Sequence, residues 1–170
     1  MAGLIGFNEN IYAVLEWQDG SGKIKVYKSH NIVTNAGDVY YAQRAASESV
    51  TNAFGIMELG TAGDAPAKAS IRSNVTAVVA VSQKAHDGTY PLTNDPDPDN
   101  PDTVGTDVVT YRVSYTVAEA NDTDIDRVII TNVTPAAGEA LLSYGVFAAP
   151  FTKTGAQTLK VFVNHTFNGV

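Results

Sequence analysis

The sequence predicts an all-β fold: an antiparallel, jelly-roll-like β-sandwich of about eight strands with one short helix. Three observations carry that expectation. Residues 107–117, DVVTYRVSYTV, alternate without a break, with Val109, Tyr111, Val113, Tyr115 and Val117 on one face. Thr110, Arg112, Ser114 and Thr116 take the other, and period two with a polar opposite face marks a strand that packs one side on a core and turns the other to water. Turn-rich joints such as DGSG, EANDTD and TPAAGE separate the apolar runs, which follow no βαβ rhythm.

The elements follow in order. IYAVLEW (11–17) and KIKVYKSHNIV (23–33) flank DGSG, whose glycines supply the positive φ angles of a hairpin turn. Asn35 is the expected N-cap of the helix AGDVYYAQRAAS, with Val39, Tyr40 and Ala46 spaced for one buried stripe. FGIMEL (54–59) is a short buried strand, and a helical turn is expected near APAKASIRS (65–73). VTAVVAVSQ (75–83) is rich in β-branched residues, which favour strands. After residues 107–117 come IDRVIITNV (125–133), ALLSYGVFA (140–148) and TLKVFVNHTF (158–167).

At 170 residues the chain fits one domain, expected over 11–170, preceded by an N-terminal arm at 1–10 and interrupted by a long loop at 85–106. Cysteine is absent, which rules out a disulfide framework and a thiolate site. MAGLIGFNEN lacks a basic n-region and a sustained apolar run, so no signal peptide is expected, and no apolar run approaches the ~18 residues of a membrane span. The net charge is −7, and five of the acids fall between residues 95 and 107, so the acidity is local. Lys and Arg form no patch, which argues against direct nucleic-acid binding. The densest basic run, KIKVYK (23–28), alternates as a strand, and its lysines read as a solvent-facing edge that resists edge pairing.

The loop TNDPDPDNPDTVGTD (93–107) admits two readings. Asp95, Asp97, Asp99 and Asp102 could cage calcium, which takes six to eight oxygen ligands. Yet the EF-hand positions that want glycine and glutamate hold Asn100 and Thr106, and each proline fixes φ and removes an N–H. The alternative, a stiff extended arm that its own carboxylates keep hydrated and off the protein surface, accounts for more of the residues. No metal and no cofactor is therefore expected.

Catalytic constellations are equally sparse. His30 and His165 sit in strand patterns and read as hydrogen-bonded structural residues, as does His86 at the opening of the loop. No G-x-S-x-G elbow, H-x-x-x-H pair or G-K-[ST] phosphate loop is present. The pairs Asp95/Asp97 and Asp122/Asp124 lack the groove-lining aromatics of a glycosidase. The chain reads as non-enzymatic.

Three stretches carry a resemblance: SHNIVTNAGDVYYAQRAA (29–46), IMELGTAGDAPAKAS (56–70) and FTKTGAQTLKVFVNHTF (151–167). Their H-N-x-V-T-N-x-G element before a small helix, L-G-T strand end, A-P-x-K loop and alternating final strand resemble tailed-bacteriophage virion structural proteins. Within that group the chain looks most like capsid decoration or cement proteins. The resemblance implies a partner in the major capsid protein, self-association as a homotrimer with a dimer as the alternative, and a place on the outer head surface after assembly in a bacterial cytoplasm. It brings no catalytic residues. The expected oligomer or capsid contacts are Leu4, Ile5 and Phe7 of the arm and Pro96, Pro98 and Pro101 of the loop. A tail, collar or baseplate component is the rival within the virion, and a carbohydrate-binding jelly-roll module the rival from another class.

Overall fold

The computed structural model describes residues 6–102, 105–132 and 139–168. Ten strands and one α-helix are formed among them: β1 (Gly6–Trp17), β2 (Ile24–Val33), α1 (Asn35–Ala45), β3 (Phe54–Gly63), β4 (Val75–Val78), β5 (Lys84–Ala85), β6 (Leu92–Thr93), β7 (Val108–Tyr115), β8 (Asp122–Asn132), β9 (Leu141–Lys153) and β10 (Gln157–Asn168). Each expected strand has a counterpart, but the one expected over 75–83 is cut to Val75–Val78, and the two additions, β5 and β6, are two-residue pieces in the long connection before β7. The expected helical turn is a 3-10 turn at Arg72–Asn74. No helix among the described residues is long and apolar enough to cross a membrane.

All pairings are antiparallel. One layer runs β2-β1-β10-β7-β6 and the other β4-β3-β8-β9-β2, with β5 also on β3. Strand β2 belongs to both: residues 24–30 pair with β1 and residues 31–33 with β9. First pairs with last, second with second-last, and β3 with β8, the nesting of a long hairpin rolled up on itself, until β7 departs from it by pairing with β10 and β6.

The core lies between the layers. Ile11, Ala13 and Leu15 of β1, Tyr111, Val113 and Tyr115 of β7, and Leu159, Val161 and Val163 of β10 face Met57, Leu59, Val128, Ile130, Phe147 and Phe151. Alternation puts the intervening residues of β1 and β10 on the opposite face, where Tyr12, Val14 and Phe162 form a second apolar cluster. That cluster is buried, although the outer face of a half-solvated sheet is expected to meet water.

Helix α1 differs in detail from its sequence reading. Thr34, not Asn35, is the N-cap, and its side chain accepts the Gly37 N–H at 3.2 Å. The buried stripe runs through Gly37 and Tyr40, while Val39 is 48% exposed. Gly37 allows this packing: a Cβ there would lie 2.7 Å from Val33 Cγ1 and still closer to the Leu142 carbonyl oxygen. Gly37→Ala is expected to lift the helix and cost about 3 kcal/mol in urea unfolding; an unchanged midpoint would show that the helix shifts freely.

Candidate functional site

The Asp/Pro loop does not extend away from the protein. It lies across the outer face of β1, β10 and β7, where it meets Tyr12, Lys160, Asn164 and Arg112. Its alternation decides which way each residue faces. Asp95 and Asn100 are buried and Asp97, Asp99 and Asp102 half-buried, whereas Pro96, Pro98 and Pro101 are exposed. The backbone is laced by three side-chain turns, in which Asp95 accepts from the Asp97 N–H (2.9 Å), Asp97 from the Asp99 N–H (2.9 Å) and Asn100 from the Asp102 N–H (3.2 Å).

Each carboxylate has its own partners. Asp97 is ion-paired to Arg112 of β7 and, at 3.3 Å, to Lys160 of β10, which also holds Asp99 at 2.6 Å. Asp95 accepts from Tyr90 Oη (2.5 Å) and Asn100 Nδ2 (3.0 Å). Asp102 accepts from Tyr12 Oη, from Asn10 Nδ2 (3.2 Å) and from Asn164 Nδ2 (3.2 Å), with Lys28 Nζ 3.8 Å away. Asn100 and Asn164 exchange amide hydrogen bonds at 3.0 and 3.3 Å. Burial alone would raise the Asp97 carboxyl, but the Asp99 N–H, Lys160 and Arg112 together hold it below the usual range.

The reading of the loop as a free, solvated arm is thus corrected. Repulsion among the carboxylates would extend the chain in water, but Arg112, Lys160 and Lys28 stand on the face beneath and neutralise it. The calcium alternative fares no better geometrically. Asp95, Asp97, Asp99 and Asp102 point at different donors, and no three His, Asp or Glu side chains among the described residues are placed to share a metal. Of the expected contact residues, Leu4 and Ile5 lie outside the described residues, and Phe7 is paired in β1 opposite Phe167, so strand structure begins at Gly6 within the expected arm.

A second polar cluster is sealed inside the sandwich beneath α1. Glu9 of β1 lies opposite His165 of β10, and both are buried. His165 Nε2 meets Asn31 Nδ2 at 2.9 Å, its Nδ1 meets Tyr41 Oη at 2.6 Å, and Tyr41 Oη lies 2.9 Å from Tyr111 Oη. A neutral imidazole, with one nitrogen donating and one accepting, suits these two neighbours. Burial holds it neutral, down to a pKa of about 3. His86 packs against Tyr111 and is likewise lowered by burial, to about 4. Glu9 takes the Val33 N–H at 2.6 Å, and burial lifts its pKa to about 7. His165 is 0% exposed and Glu9 is buried, so this row braces the sandwich from within, whereas His86 is partly exposed.

Other buried charges are matched in the same way. Glu58, fully buried, takes Arg72 at 3.0 Å and Gln83 at 2.7 Å, and Lys153 donates to Thr116 O and Asn121 Oδ1, each at 2.9 Å. An open pocket of about 370 Å³ is lined by Asn35, Ala36, Lys68, Ala69, Ser70, Ile71 and Ala140. Its lysine is ion-paired to Asp38 at 2.9 Å. The sequence reading missed Arg112, Lys160, Tyr12 and Asn164 as partners of the loop. The alternation that placed Arg112 on the outer face was the available signal, but nothing local says what covers that face.

The fold and this site define an antiparallel all-β sandwich with a clamped acidic loop on one outer face. No protein-family model, curated protein or solved structure matches the chain.

Proposed function

We propose that this chain is a structural subunit of a tailed-bacteriophage virion, a decoration (cement) protein that binds the outside of the head across capsomers and acts without catalysis. The observation that carries this reading is the meeting of the three resembling stretches in one corner of the fold. The Asn35 N–H donates to Lys68 O at 2.7 Å, and Lys68 Nζ returns to the Asp38 carboxylate. Asn31 and Tyr41 of the first stretch hold His165 of the third. The residues through which these stretches meet are thus framework residues, as a virion subunit that works by shape requires.

The clamped loop supports the same reading. Pro96, Pro98 and Pro101 project from it as a rigid outward row whose ordering is already complete before any partner arrives. These prolines are the proposed contacts with the major capsid protein or with another copy. The carbohydrate-binding alternative requires aromatic rings exposed along a groove. Among the described residues the large, well-exposed apolar side chains are aliphatic: Ile24, Val26, Val39, Ile71, Val78, Val81 and Val117.

The test mixes labelled protein with empty heads assembled from the capsid protein of the same genome. Co-sedimentation, with label spread in many copies over the head in electron micrographs, is the expected result. Label confined to one ring would move the chain to the tail, collar or baseplate, and protein left in the supernatant with bare heads would sink the virion reading.

A further inference from the structure

One edge of β2 is bare. Residues 24–30 pair with β1 in continuous register from Asn10↔His30 to Glu16↔Ile24. On the other side β9 covers only residues 31–33. Because the Trp17 N–H donates to Lys23 O (3.0 Å), residues of that parity turn their backbone groups toward β1. Ile24, Val26 and Lys28 turn theirs outward, where no strand among the described residues takes them. No proline or bulge interrupts this stretch, so its outward N–H and C=O groups form a ladder ready for one more strand.

The side chains along this edge alternate between two kinds. Ile24 (54% exposed) and Val26 (48% exposed) share the outer face with Glu16 and Val14, their neighbours on β1. Lys25, opposite Leu15, takes the other face, and Lys23 has its parity. Both lysines are exposed, and each stands over a ring: Lys23 Nζ is 4.3 Å from the centre of Trp17 and Lys25 Nζ 4.6 Å from that of Tyr27. Elsewhere Arg72, Arg112, Arg127, Lys84 and Lys160 are each ion-paired to an acid of their own chain. Lys23 and Lys25 have no carboxylate within ion-pair distance among the described residues. Lys28 adds a third cation to the edge, 3.8 Å from Asp102.

We propose that this edge accepts a strand of another protein in which acidic and apolar residues alternate. Main-chain hydrogen bonds to Ile24, Val26 and Lys28 attach it. Its apolar side chains lie on the outer face and cover Ile24 and Val26, while its acidic ones lie on the other face and meet Lys23 and Lys25. Charge decides against the other occupants. A second copy would set one lysine-bearing edge against another, and residues 23–30 contain no acid to offset either. A polyanion such as nucleic acid would meet the lysines but leave Ile24, Val26 and the outward backbone groups uncovered. Lysines on an edge guard it against neutral and basic strands, and the same guard here selects an acidic one.

This inference does not rest on the virion reading, because its probe contains no capsid protein. The probe is a capped peptide of about six residues, alternating glutamate and valine. Trp17 is the only tryptophan and Lys23 stands over it, so its fluorescence reports an acid arriving at that lysine. The peptide is expected to bind at least tenfold more tightly than alternating lysine and valine, glutamate alone, or a short DNA duplex. Replacing both lysines, Lys23→Gln with Lys25→Gln, should weaken binding at least tenfold in calorimetry and leave the circular dichroism unchanged, since both are exposed. Val26→Pro removes one outward N–H and should weaken it as much. A peptide that does not bind, a control that binds as well, or a variant that binds like the parent would overturn the proposal. Sedimentation velocity of the chain alone is expected to show no dimer that Val26→Pro dissolves; such a dimer would give the edge to a second copy and overturn the proposal too.

Discussion

Replacing Arg112 with methionine is expected to free the acidic loop from the sheet and to cost about 3 kcal/mol in chemical denaturation, the scale for a partly buried carboxylate that loses its cation. Arg112 is the rivet because it holds three points of the connection at once: Asp87 at 2.7 Å, Asp97, and Tyr90 Oη at 3.2 Å, with its guanidinium 4.2 Å from the Tyr90 ring centre. Methionine keeps much of the apolar stem but none of the charge. Asp97 would then keep Lys160 as its one cation, beside the Asp99 N–H. Hydrogen exchange at the amides of Asp97, Asp99 and Asn100 should accelerate together, and proteolysis should begin within residues 94–102. The same amides should loosen in acid. The folded Asp97 carboxyl lies below its ordinary range, so its contribution is present at neutral pH and is lost as pH falls through the folded value. Unchanged protection in Arg112→Met would mean that the loop is held by its hydrogen-bonded turns and not by the sheet.

Glu9→Gln is expected to stabilise the protein above neutral pH by about 3 kcal/mol, and hardly at all near pH 4.5. Burial raises the folded carboxyl to about 7, with the Val33 N–H and Lys68 opposing only in part, against an ordinary value of 4.5. The folded state therefore keeps a proton that the unfolded chain has released. Stability from this group is complete below pH 4.5 and declines as pH rises toward and through about 7. Glutamine retains an acceptor for the Val33 N–H and removes the charge. His165 runs the other way: its folded pKa of about 3 lies below the ordinary 6.5, so its contribution is present above pH 6.5 and is lost on acidification. Because His165 is common to both proteins, the difference between Glu9→Gln and the parent at each pH isolates Glu9. Urea unfolding from pH 4.5 to 8 reads it directly, and a flat difference would show that Glu9 is already paired or hydrated in the fold.

Most of the architecture is legible in the sequence because strand alternation is a local signal. Tyr111, Val113 and Tyr115 read as core from their own spacing, and they are core. The helix is legible too, but its cap moved by one residue and its buried stripe changed face. Gly37, chosen for close approach to Leu142, governs that docking and carries no apolar signature of its own. The polar core row was half visible: His165 read as a structural strand histidine, but its partners Asn31, Tyr41 and Tyr111 lie far away in the chain.

The loop divides the two kinds of information most clearly. Its stiffness, its local excess of charge and the alternation of acid with proline are all written in neighbouring residues and can be read without the fold. Whether those carboxylates would repel one another into solvent or settle on a surface was decided by Arg112, Lys160 and Lys28, which belong to three different strands. Antiparallel pairing brings these cations onto one outer face, although they lie scattered along the chain. Coulomb energy depends on distance in space, and only the folded sheet sets those distances.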